Sequence, residues 1–159
     1  MSPIDTYEIP LWHPLVVHFP IVLILIGAVA VIVWAVSPRA FWYRAGAFAF
    51  VAGTATALLA YLTGEAAEDA GEDVPIVDEI VHLHEDMAIY TLAASLLATV
   101  AMILVKPALL VLNDASRDSQ EPPPAVGIRW AIAFLALIAA VLVAWTSHLG
   151  GIMVWGVPR

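Results

Sequence analysis

The feature that most limits what this chain can become is the stretch from Pro14 to Val36, which contains no acid, lysine or arginine. About 20 helical residues cross the roughly 30 Å hydrocarbon core of a bilayer, so this run is long enough to span one. Three further runs of similar character follow, at about Phe41–Thr63, Val81–Val105 and Gly127–Leu149. The expected fold is all-α: a four-helix transmembrane bundle, with residues 1–159 forming a single integral membrane domain. Composition agrees, because 62% of the residues are hydrophobic, above the roughly half that is usual in soluble domains.

The runs are punctuated as separate helices. Ser37-Pro38-Arg39 closes the first, and Gly64 is suited to the C-terminus of the second. Lys106-Pro107 closes the third, and Gly150-Gly151 the fourth. Pro107–Leu112 reads as an extension of the third helix or an interfacial piece, and Pro122-Pro123-Pro124 as a stiff connector. No clear internal repeat is visible. Small residues at four-residue spacing, Ala49, Gly53 and Ala57 (with Gly46 before them) and Ala136, Ala140 and Ala144, predict close helix packing.

Charge sets an orientation. Arg39, Arg44, Lys106, Arg117 and Arg129, five of the six bases, flank the first and third connections. By the positive-inside rule that side is cytoplasmic, so both termini are expected on the outer side. Eleven of the fourteen acids fall on the outer side too. Trp34, Trp42 and Trp130 are expected to mark the inner interface, and Trp12, Trp145 and Trp155 the outer one. The net charge of −8 leaves no basic footprint for nucleic acid. The absence of cysteine removes disulfides, thiolate zinc sites, iron–sulfur clusters and covalently attached c-type haem. No basic region and cleavage site precede the first run, so the first helix is expected to direct insertion and stay.

On this topology all five histidines reach one face of the membrane: His13 and His18 on the first helix, His82 and His84 on the third, His148 on the fourth. Ionisable side chains in a span usually face the bundle interior and mark function. At about 100° per residue, His82 and His84 point some 160° apart. His84 shares its face with Met87, Ala88, Thr91 and Ser95, and His82 shares one with Asp78, Glu79 and Glu85. His84 is therefore expected inside and His82 outside. His13 precedes a proline suited to a first turn and sits at the helix mouth. His18 lies a turn further in, and Pro20 is placed to bend the helix beside it.

Neutral imidazoles offer lone pairs to a metal. Two from facing helices can hold a haem iron non-covalently in a helical bundle. A divalent ion would take three or four ligands, with a carboxylate such as Glu65 or Glu85. Against both stands a purely interfacial role, with the rings capping backbone groups. The aromatic neighbours Trp12, Phe19 and Trp145 suit a flat apolar cofactor, whereas the acidic outer side suits a cation. Seven acids between Glu65 and Glu79 read as a solvated connection, or as a docking patch for a basic partner.

Four stretches then point to a family. HPLVVHFPI at 13–21, LTGEAAED at 62–69, HEDMAIYTL at 84–92 and HLGGIMVWGV at 148–157 resemble, in order, the landmarks of the bacterial membrane family DUF2231. The resemblance covers essentially the whole chain. It implies a multi-pass protein of the bacterial inner membrane, with motif positions at His13, Pro14, His18, Pro20, Gly64, His84, Gly150 and Gly151. Some members resemble modules found beside cytochromes, which implies redox work.

The functional expectation is a b-type haem electron-transfer subunit with its iron near the periplasmic face. His18 and His84 are the first choice of axial ligands, and His13 with His148 would make a second pair for a second haem. Its partners would be membrane lipid and a periplasmic electron carrier or other subunits of a respiratory complex. No nucleophile–base pair suggests independent catalysis. The alternatives are a zinc or copper site built from His13, His18, His84 and His148, and a structural subunit without cofactor.

Overall fold

A computed structural model describes residues 12–68, 75–105 and 122–155; the side chains of 66–68 and 75–79 are outside the description. Among the described residues five helices follow one another: α1 (Trp12–Val16), α2 (His18–Val36), α3 (Ala40–Glu68), α4 (Pro75–Val105) and α5 (Val126–Trp155). No strand occurs among the described residues. Four of the described segments are long and apolar enough to cross a membrane: Trp12–Val36, which joins α1 to α2, then Ala40–Glu65, Ile80–Val105 and Val126–Trp155. The expected four-helix transmembrane architecture is what the chain adopts.

The first span is interrupted at Val17. Pro20 has no N–H to offer the carbonyl of Val16, and its ring crowds that carbonyl, so the helix cannot run straight through. α1 packs against α3, and α2 packs against both α3 and α5. α4 packs against α3 and α5, so the four spans form a closed ring in chain order.

Two helix ends depart from expectation. α3 does not stop at Gly64 but continues to Glu68, and α5 runs through Gly150-Gly151 to Trp155. The residues after Gly64, Glu-Ala-Ala-Glu, are strong helix formers, and they carry the helix past it. The segment Pro107–Leu112 lies outside the described residues, as do Asp69, Glu72 and Asp73 of the acidic connection. Pro122–Ala125 is non-helical, as expected of a connector.

Packing is uneven along the bundle. At one end Trp34, Tyr43, Phe50 and Met102 fill the centre, with Trp34 and Tyr43 rings 4.7 Å apart and the Tyr43 hydroxyl donating to the Met102 carbonyl. Trp34 is thus a core residue, 2% exposed, and not the headgroup anchor its position suggested. Gly46 and Gly53 of α3 sit against Val31 and Ile24 of α2, which confirms close approach on that face. On α5, Ala136 and Ala140 are buried but Ala144 is exposed; the inward face instead runs Ala133, Ala136, Ala140, Val143. All described arginines, Arg39, Arg44 and Arg129, lie at this filled end. Arg129 is buried and donates to the carbonyl of Ala35, in the last turn of α2, where a cation is favourable.

Candidate functional site

At the opposite end large side chains give way to small ones, and a cavity of about 510 Å³ opens in the bundle. Its walls carry His13 and His18 from the first span, Ala57 from α3, His84, Ala88 and Thr91 from α4, and Thr146 with Gly150 and Gly151 from α5. The walls are chiefly apolar, and the volume lies in the range of about 300–1,000 Å³ usual for small-molecule and cofactor sites.

The three imidazoles are held alike. His13 Nδ1 is 3.0 Å from the carbonyl of Ala60 and 3.2 Å from Thr63 Oγ1. His84 Nδ1 is 3.0 Å from the carbonyl of Thr146. His18 Nδ1 is 2.6 Å from the carbonyl of Pro14 in its own helix. A carbonyl can only accept, so each Nδ1 must carry the hydrogen and donate it. In the neutral ring this leaves the lone pair on Nε2. An Nδ1–H fixed on a backbone carbonyl is also the arrangement that orients metal-ligating histidines and fixes their tautomer. No hydrogen bond to any of these Nε2 atoms occurs among the described residues. His13 and His84 both line this cavity.

The expected ligand set is regrouped by this geometry. His84 faces inward with Thr91 and Ser95, both buried, as its helical face required. His82 faces out, its side chain 82% exposed and 4.0 Å from Glu85. His13, expected at the mouth, is the partly buried one whose ring is tied to another helix, whereas His18 is exposed at the rim. His148 does not line the cavity; it is exposed, its ring 5.8 Å from that of Trp145. A pair of His13 with His148 is therefore not brought together.

The zinc or copper arrangement is not assembled either. Among the described residues no three His, Asp or Glu side chains converge closely enough to hold an ion. The rings of His13, His18 and His84 are held on carbonyls of three different segments. Glu65 is exposed, and Glu85 lies beside His82.

Sequence reasoning missed the acceptors of these histidines. The carbonyls of Ala60 and Thr146 have no signature of their own, but each lies four residues before a glycine, Gly64 and Gly150. A side chain on either glycine would meet an imidazole: a Cβ on Gly64 would come 3.1 Å from His13 Cε1, and one on Gly150 would come 3.3 Å from His84 Cε1. The available signal was a glycine inside an apolar helix at the level of a histidine.

Between the spans, hydroxyls supply the remaining polar contacts. Thr91 and Thr146 are 3.0 Å apart at the cavity floor, and Thr54 and Thr99 are 3.0 Å apart deeper in the bundle. Thr91, Thr99 and Thr146 also donate to, or share with, a carbonyl of their own helix, so the floor is satisfied internally. Interhelical hydroxyl pairs of this kind contribute about 0.6 kcal/mol on average.

Comparison with known proteins agrees with the motif reading. Neither a curated protein nor a solved structure matches the chain. A match over residues 8–157 is found to DUF2231, described as a predicted membrane protein. It takes in all four spans and every histidine, and the chain therefore belongs to the DUF2231 family of predicted membrane proteins.

Proposed function

We propose that this protein is a b-type haem-binding electron-transfer subunit of the bacterial inner membrane, with the haem in the histidine cavity at the periplasmic end. The observation that carries the reading is the shared state of the imidazoles. Each commits Nδ1–H to a backbone carbonyl and keeps Nε2 free beside one apolar cavity. His84 and His13 would hold the haem iron, because both are tied to a neighbouring helix, whereas His18 bonds only to its own turn. A haem iron held by two histidines supplies reversible one-electron transfer. The chiefly apolar walls would surround it, with Thr91 and Thr146 at the floor. Described acids at this end, Glu65, Glu85 and Asp86, give a basic periplasmic carrier a surface to approach.

The test is the visible spectrum of the detergent-purified protein, oxidised and then reduced with dithionite, from cells supplied with haem precursor. The expected result is a Soret band and a sharp reduced α band, with one haem per chain by pyridine haemochrome. His13→Ala and His84→Ala should each remove the low-spin spectrum, and His18→Ala should keep it. A colourless protein overturns the haem reading. Stoichiometric zinc or copper in that protein would support a divalent-metal site instead. Loss of haem in His18→Ala alone would return the ligand role to His18.

A further inference from the structure

The two inward histidines are bound in the same way by matching elements. His13, at the start of the first span, donates to the carbonyl of Ala60 and lies over Gly64, four residues later on α3. His84, near the start of the third span, donates to the carbonyl of Thr146 and lies over Gly150, four residues later on α5. The same ring atom, Cε1, is the one nearest the missing Cβ in both cases. The first span and α3 form one antiparallel hairpin, and α4 and α5 form the other.

The spacing of four has a physical cause. In an α-helix the carbonyl of residue i already accepts from the N–H of residue i+4. Each Cα–Cβ bond leans toward the N-terminus, so the side chain at i+4 covers the surface beside that carbonyl. Glycine at i+4 leaves that approach open, whereas a Cβ there would stand 3.1 Å from His13 Cε1 or 3.3 Å from His84 Cε1, so the ring would have to give way by a few tenths of an ångström. Gly151 is the internal comparison: a Cβ there would meet nothing within 4 Å.

We propose that Gly64 and Gly150 are positioning residues that open the Ala60 and Thr146 carbonyls to His13 and His84, so that each hairpin contributes one equivalent imidazole half-site, and that the two half-sites serve one ligand between them. The single-ligand part rests on the haem reading; the half-sites rest on geometry alone. Two imidazoles presented equivalently from opposite hairpins suit one metal-centred ring held from both sides. They do not suit two separately bound cofactors.

The test uses full-length protein in detergent, with nitrogen-15 in its histidines, prepared without haem. Nitrogen NMR reads which ring nitrogen carries the hydrogen. Wild-type His13 and His84 should both show Nδ1–H. Gly64→Ala should shift the His13 signals only, Gly150→Ala those of His84 only, and Gly151→Ala neither. In haem-loaded protein, Gly64→Ala and Gly150→Ala should each lose most of the low-spin spectrum, while Gly127→Ala, outside the cavity and with nothing within 4 Å of its missing Cβ, keeps it. Should either alanine hinder folding, a cycle decides: in a His13→Ala background, Gly64→Ala should cost no further stability, because the ring it crowds is gone. Alanine variants at 64 and 150 that match Gly151→Ala in tautomer and Gly127→Ala in spectrum would overturn the proposal. So would variants that perturb both histidines alike. Wild-type protein that takes up no haem would defeat the haem reading while the tautomer measurements still decide the half-sites. Two haems per chain would defeat the single-ligand part alone.

Discussion

One hydrogen atom at Gly46 sets how closely α2 and α3 approach. A Cβ there would lie 2.6 Å from Val31 Cγ2 and 3.4 Å from the backbone nitrogen of Val31 and the carbonyl oxygen of Gly27. Valine is stiff about χ1 and Val31 is fully buried, so it has no open direction in which to move. Gly46→Ala should therefore destabilise the bundle by about 1–3 kcal/mol, the usual cost of overpacking. Gly127, in the first turn of α5, has nothing within 4 Å of its missing Cβ. There the restricted unfolded chain dominates, and Gly127→Ala should be neutral or stabilising by up to about 1 kcal/mol. Unfolding in detergent followed by helical circular dichroism measures both. Equal effects at the two positions would show that the α2–α3 contact is looser than the distances imply.

At the scale of elements, the break at Val17 separates α1, which carries His13, from α2, which begins at His18. If the break sets how α1 meets α3, an uninterrupted helix through Trp12–Val36 would take the His13 ring off Ala60 and Gly64. Pro20→Ala restores the N–H that the Val16 carbonyl lacks and lets one helix run on through the break. The expected outcome is a split: apo-protein unfolding that is unchanged or more resistant, together with lower haem content by pyridine haemochrome. Retention of full haem content would show that the bend does not position His13. This dependence explains what was legible in the sequence. The four spans were, because hydropathy over a long run needs no partner. The inward turn of His84 was legible too, from the 100° step and the small polar residues Thr91 and Ser95 on its face. The same step sets His148 about 160° from Thr146, which lines the cavity, so its outward position follows once the rotation of α5 is known. That rotation is fixed by Ala133, Ala136, Ala140 and Val143 packing inward, and the sequence also offered Ala144. The order of His13 and His18 was hidden, because a proline announces a bend without saying which way the preceding turn leans. Gly64 and Gly150 were read as stops because glycine is a common helix terminator in water. Glycine is more frequent inside membrane helices, and here two of them make room for rings.

The whole molecule is polar from end to end. The described arginines gather where Trp34, Tyr43, Phe50 and Met102 fill the core, and Glu65, Glu85 and Asp86 lie where the cavity opens. If the bundle inserts by the positive-inside rule, the arginine end faces the cytoplasm and the cavity faces the periplasm. The chain contains no cysteine, so single cysteines report its orientation without background. Pro38, exposed between α2 and α3, marks the arginine end, and Glu65, exposed on α3, marks the histidine end. In intact spheroplasts a membrane-impermeant maleimide should label Glu65→Cys, and it should label Pro38→Cys only after the membrane is disrupted. The reverse pattern would place the histidine cavity on the cytoplasmic side. An electron carrier of the periplasm could then not be the partner, whatever the spectrum showed. The labelling and the spectrum thus test separate statements: one fixes which compartment the cavity opens toward, the other whether the protein binds haem.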